Sequence, residues 1–101
     1  MNNRTRALAI SRGVKARVFE RDGGRCVICG RPGNPEAHYI SRAHGGLGIE
    51  ENIVTLCREC HFRYDQTIDR AVYRWAIREY LMDRYPDWDE KKLMFKKGEN
   101  S

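Results

Sequence analysis

The sequence predicts a small α+β domain with a helix in front of it and a helical extension behind it. Three observations lead there. Four cysteines stand in two Cys-x-x-Cys pairs, Cys26/Cys29 and Cys57/Cys60. Each pair can hold two corners of a tetrahedral zinc ion, so the two pairs together would close one structural site. The 27 residues between the pairs contain two short stretches of strand character. On either flank, apolar residues recur at helical spacing.

Residues 1–10 mix Asn, Arg and Thr with no period, so residues 1–12 are expected to be a flexible basic arm. Ser11 is suited to cap a short helix on which Val14, Val18 and Phe19 share a face. Gly23 and Gly24 end that helix, and Cys26 begins the first metal knuckle. Arg31 to Pro35 carries two prolines, a glycine and an asparagine, which marks a loop. Glu36–Ser41 reads as one strand, and Asn52–Leu56, rich in β-branched residues, as a second. Between them, His44–Gly48 holds three glycines and is expected to be flexible rather than regular. A helix begins at Arg58 and runs to about Tyr64, so residues 13–66 form the central domain.

Residues 67–84 read as one helix with two apolar sides. Ile68, Ala71, Val72, Trp75 and Met82 fall on one side, and Tyr73, Ile77, Tyr80 and Leu81 on the other. A helix of this kind is covered on both sides. One side is expected to face the central domain. The other is expected to meet the C-terminal segment or a second subunit, which would make a homodimer. Pro86 stops the helix. Asp87 with Glu90 fits a capping box for a last helix from Trp88 to about Lys96. Residues 67–101 are thus expected to be a helical extension.

The chain has 101 residues, enough for one domain, and its 41% hydrophobic share gives a modest core that a metal staple would reinforce. No apolar run approaches the ~20 residues of a membrane span, and Met1–Ser11 has no apolar leader stretch. A cytoplasmic setting without membrane contact is therefore expected. There, paired cysteines serve metals rather than disulfides. Lys and Arg number 19 against 14 Asp and Glu, a net charge of +5. Most of the basic residues are arginine, which suits bidentate phosphate contacts and tilts the partner toward nucleic acid.

The chemistry is expected inside and just after the loop. Glu36 and His38 share one strand face through two-residue alternation. A neutral imidazole can take a proton from water near pH 7, as hydrolysis requires. The neighbouring glycines would let a phosphate backbone approach closely. Asn52 opens the facing strand and is either a turn residue or an amide that holds the His38 loop. His61 follows Cys60 directly, so it points away from the thiolate site. On a helix it lies one turn from Asp65. The pair could hold a second, hard divalent ion, unless Asp65 is only a solvated surface charge. Arg42, Arg58 and Arg63 flank these residues as candidates to grip phosphates.

Three runs, in this order, resemble the HNH endonucleases, in particular their small, zinc-stapled, phage-borne members. They are Val18-Phe-Glu-Arg-Asp-Gly-Gly-Arg-Cys-Val-Ile-Cys-Gly30, Ala37-His-Tyr-Ile-Ser-Arg42 with Gly45-Gly46, and Glu51-Asn-Ile-Val-Thr-Leu-Cys-Arg-Glu-Cys-His61. The resemblance covers about residues 14–65 and implies a ββα-metal, or treble-clef, zinc finger. It implies that His38 is the general base, that Asn52 fixes the geometry of the motif and that His61 binds a catalytic divalent ion, magnesium or manganese by preference. The four cysteines match the structural zinc site. Many members carry Asp or His immediately before the base as a further metal ligand. Here that residue is Ala37, with Glu36 or Asp65 as substitutes, or His38 itself as a ligand. The activity implied is cleavage of DNA, as a nick or a double-strand break, in a host cytoplasm and beside phage packaging proteins. The competing readings are a zinc finger that binds nucleic acid without cutting it, and an assembly module.

Overall fold

The computed structural model describes residues 2–96. In chain order the regular elements are α1 (Asn3–Leu8), α2 (Arg12–Asp22), β1 (Asn34–His38), β2 (Ile53–Leu56), α3 (Arg58–Gln66) and α4 (Arg70–Arg84). Short 3-10 turns cover Arg42–His44, Glu50–Asn52 and Glu90–Leu93. The two strands pair antiparallel, with Ala37 opposite Val54 and His38 opposite Ile53. β1, β2 and α3 give the ββα-metal arrangement, with the four cysteines at its base.

β1 starts earlier and ends sooner than the residues suggested. Its register slips by one residue between Asn34 and Ala37. Pro35 lies in that interval and has no N–H to give the ladder, which explains the irregularity. β2 is buried along its whole length. Ser11 caps α2 as expected, its side chain accepting from the Val14 N–H at 3.1 Å. Val14 and Val18 are buried with Ile53, but Phe19 is half exposed. Its ring lies over the Gly24 backbone instead of in the core, so close that a Cβ at Gly24 would sit 2.7 Å from the ring tip.

Three further expectations need correction. Residues 2–10 are not irregular throughout, because Asn3–Leu8 is helical. Asn2 caps it by accepting from the Thr5 N–H at 2.7 Å, and Leu8 is buried at its end. The apolar Leu8 supplies a docking point that the polar composition hides. Residues 67–84 are not one helix. Thr67 is extended, its hydroxyl donating to the Arg63 carbonyl at 2.7 Å and accepting from the Asp69 N–H at 3.1 Å, and α4 starts only at Arg70. The last helix, expected from Trp88 to about Lys96, is a single 3-10 turn over Glu90–Leu93, capped by Asp89 rather than Asp87. Residues 97–101 of the expected extension lie outside the described residues.

The main core joins β1, β2, α3 and α4 through Ala37, Tyr39, Val54, Leu56, Tyr64, Ile77, Leu81 and Leu93. α4 turns its Tyr73/Ile77/Tyr80/Leu81 side to this core. Its other side stays open, with Val72 at 68% and Trp75 at 63% exposure. Among the described residues, the segment after α4 does not cover that side. It runs to the His44–Gly48 loop instead, where Leu47 N–H donates to the Leu93 carbonyl at 2.8 Å and Phe95 N–H to the Gly45 carbonyl at 2.7 Å. The loop is therefore tied rather than free. The Trp88 ring meets Tyr39 edge-on at 5.6 Å, and its N–H donates to the Glu51 carbonyl at 2.8 Å.

A buried polar network fastens α2 to β2 and α4. The Asp22 carboxylate is fully buried and accepts from the Arg21 nitrogens Nε and Nη2 (2.7 and 3.0 Å), from the Thr55 N–H and from the Tyr80 hydroxyl. Arg21 also donates to the Ile53 and Glu50 carbonyls. Every lone pair and donor in this pair finds a partner, which is the condition under which a buried ion pair does not cost stability.

Candidate functional site: a thiolate cluster beside a histidine cleft

The thiolate site is built from turns at two chain ends. Cys26 N–H donates to the Arg31 carbonyl at 2.7 Å and Gly30 N–H to the Cys26 carbonyl at 2.9 Å, which curls Cys26–Cys29 into a knuckle. The second knuckle is the start of α3, where Cys57 caps the helix and its sulfur accepts from the Cys60 N–H at 3.4 Å. The four Sγ atoms lie within 4.8 Å of one another, and Cys29 and Cys57 are 3.6 Å apart. With Zn–S bonds of ~2.3 Å, the edge of a sulfur tetrahedron is about 3.8 Å, so the set fits one tetrahedral ion. Arg31 donates to the Cys29 sulfur at 3.4 Å and, with its own backbone N–H, draws the Cys29 thiol down to about 6. Burial pushes the Cys60 thiol up instead. A bound cation is what would keep all four as thiolates.

The histidine cleft lies on the neighbouring face. Strand alternation puts Ala37 into the core, 1% exposed, and turns Glu36 and His38 outward together. The missing ligand at position 37 is therefore a packing residue: its side chain is a core methyl against Val54. His38 is half-buried, and its Nε2 donates to the Leu8 carbonyl at 2.9 Å. Burial holds the imidazole below the ordinary histidine range. The Leu8 carbonyl opposes that shift, Arg42 adds to it, and Asp65 opposes it. His61, Asp65 and Arg42 are thus close enough to act on the His38 ring.

His61 and Asp65 face each other along α3, Nε2 to Oδ2 3.2 Å. They line a recess of about 410 Å³ together with Asn34, Glu36, Arg58 and Phe62. That is room for an ion with several waters, each occupying ~30 Å³. A second recess holds His38, Arg42, Lys15 and Glu36. Glu36 belongs to both, so the two recesses adjoin. Its carboxylate is 3.7 Å from Lys15 Nζ. Among the described residues, only the four cysteines close to within ligand distance as a set of three or more. Glu36, His61 and Asp65 share a wall without closing.

Asn52 is fully buried and acts as a clasp on the segment after His38. Its Oδ1 accepts from the Ile40 N–H at 2.8 Å, and its Nδ2 donates to the Ile40 and Leu47 carbonyls at 3.1 and 2.8 Å. Its own carbonyl accepts from the Tyr39 N–H at 2.7 Å. Gly46 permits this closure, because a Cβ there would lie 1.6 Å from the Ile40 carbonyl oxygen. Tyr64, from α3, adds a hydroxyl bond to the Tyr39 carbonyl at 2.6 Å.

Of the three arginines, Arg42 and Arg58 line the two recesses. Arg63 lines neither. It is paired with Glu59 and Asp69, each at 3.2 Å. One contributor was not visible in the residues: the Leu8 carbonyl. A backbone acceptor from a distant segment has no sequence signature, and only the apolar Leu8-Ala9-Ile10 run after the arginines hints at a docked end.

Among the described residues, no helix is long and apolar enough to cross a membrane. No curated protein matches the chain. Residues 26–66 match the model of the HNH endonuclease family, a span that opens on the first knuckle cysteine and closes at the end of α3. Over those residues the chain is similar to an HNH endonuclease domain, and the four cysteines inside that span are placed to hold one metal ion.

Proposed function

We propose that the protein is a metal-dependent endonuclease that hydrolyses phosphodiester bonds of DNA, with zinc as the structural ion of the four thiolates. The observation that supports the reading is that Glu36 lines both the recess of His61 and Asp65 and the recess of His38, with His61 and Asp65 near enough to act electrostatically on the His38 ring. His38, kept neutral by burial, takes a proton from a water that attacks phosphorus in line. Asn52 holds the segment after His38 so that the ring keeps its place. Arg42 and Arg58 hold the flanking phosphates. Arg63, already satisfied by two carboxylates, is left out of that grip.

His61 with Asp65 would hold a divalent ion, magnesium or manganese by preference, with nickel or zinc also compatible with a histidine ligand. When bound, such an ion offsets charge on the pentavalent transition state and on the leaving 3′ oxygen. The likeness of residues 46–56 to phage-borne members supports a phage origin, work beside the packaging proteins and a host cytoplasm as the setting. The open side of α4 is the face a second copy would use. Sedimentation of the chain with and without DNA tests that part.

The test of the activity is plasmid digestion by zinc-loaded protein, without added metal and with magnesium, manganese, nickel or further zinc in turn. Conversion of supercoiled plasmid to open or linear form is expected with at least magnesium or manganese, and its loss in His61→Ala. The buried Ala37 favours a second reading, a finger that binds DNA without cutting. Plasmid that is shifted on a gel but stays supercoiled under every metal would establish that reading and remove the first.

A further inference from the structure

We infer that α1, although outside the family match, is part of the site: the Leu8 carbonyl is a positioning group that holds the His38 imidazole in its Nε2–H form and leaves Nδ1 to take the proton. The inference rests on the assignment of His38 as the base. A carbonyl oxygen only accepts, so at 2.9 Å the Nε2 atom must carry the hydrogen. Neutral imidazole has one N–H, so Nδ1 carries the free lone pair. The carbonyl is available because the last four carbonyls of a helix have no partner within it, and Leu8 ends α1. The negative end of the helix also favours the imidazolium that forms when the proton arrives.

The arm is seated for this task at several points. Leu8 is 2% exposed. Gly48 N–H donates to the Ala7 carbonyl at 3.0 Å, and Arg4 donates to the Arg42 carbonyl at 3.3 Å. Gly48 lies so close beneath the arm that a Cβ there would be 2.1 Å from the Ala9 oxygen and 3.0 Å from the Leu8 oxygen itself. The same loop that Asn52 clasps therefore sets the height of the arm above His38.

Two measurements test the inference on the zinc-loaded 101-residue chain. The first is the ring proton–nitrogen correlation spectrum of the parent protein above the titration of His38. A protonated Nε2 and a bare Nδ1 are expected, and a protonated Nδ1 overturns the inference. The second uses Gly48→Ala, which lifts the Leu8 carbonyl without touching His38. Zinc content and circular dichroism confirm that the variant is folded. The tautomer preference should weaken and kcat should fall on the order of 10²-fold, the scale of a misplaced catalytic group, with KM little changed. A folded variant with the parent's tautomer and kcat contradicts the inference. If Gly48→Ala does not fold, the parent spectrum decides alone. A parent with protonated Nε2 that cuts no plasmid under any metal removes the nuclease reading and leaves the Leu8 contact standing.

Discussion

The thiolate cluster and the histidine cleft, the two ends of the site, are held by different kinds of information. The thiolate end is local: each knuckle is a turn of a few residues closed by its own backbone, and the spacing of two cysteines nearly dictates its shape. The histidine end is assembled. His38 comes from β1, His61 and Asp65 from α3, the clasp from the turn before β2, and the carbonyl behind the ring from α1. The first depends on covalent proximity and the second on packing. They should therefore respond differently to removal of metal, of a clasp and of a charge.

The largest expected effect is loss of the structural ion. Binding free energies of structural zinc sites are about 10–16 kcal/mol, at or above the whole stability of an ordinary domain, about 5–15 kcal/mol. Chelation, or Cys57→Ser, should unfold the domain, read as loss of the cooperative thermal transition. A chelated chain that melts at the parent's temperature would show that the knuckles do not hold the fold.

Next is Asn52→Ala. It leaves the Ile40 N–H and the Ile40 and Leu47 carbonyls without partners in a buried place. At ~1–3 kcal/mol for each buried group left unpaired, the cost is about 3 kcal/mol or more. Denaturant titration measures it, and the zinc stoichiometry should remain that of the parent. An unchanged midpoint would mean that the clasp is dispensable.

The smallest effect concerns Asp22. The Arg21 guanidinium and the Tyr80 hydroxyl hold its carboxyl below the usual carboxylate range, against the opposing effect of burial. A depressed carboxyl gives stability that is fully present above the unfolded value of ~3.9 and is lost as pH falls through the folded value. The stability gap between the parent and Asp22→Asn should therefore be constant near neutrality and shrink below about pH 4. A gap that widens on acidification would reverse the assigned sign.

This contrast also explains what could be read from the residues. The cysteine pairs, the Ser11 cap and β2 follow from spacing, capping chemistry and β-branched residues, and the structure has all three. The break at Thr67 was hidden because side-chain hydrogen bonds to Arg63 and Asp69 end the helix where the apolar period would let it continue. The course of the C-terminal segment was hidden because backbone pairing with the Gly45–Leu47 loop, not side-chain pattern, directs it. Asn52 could be recognised as a turn residue or a brace. Its three bonds to a loop five to twelve residues away belong to the folded chain alone.

The central claim is that a zinc-folded chain brings His38 to a phosphodiester as its base. Single-turnover cleavage of plasmid by zinc-loaded His38→Ala, beside a direct measurement of DNA affinity, tests it most closely. The account predicts affinity within a few-fold of the parent and a cleavage rate lower by ~10²–10⁴. Cleavage at the parent's rate would contradict it.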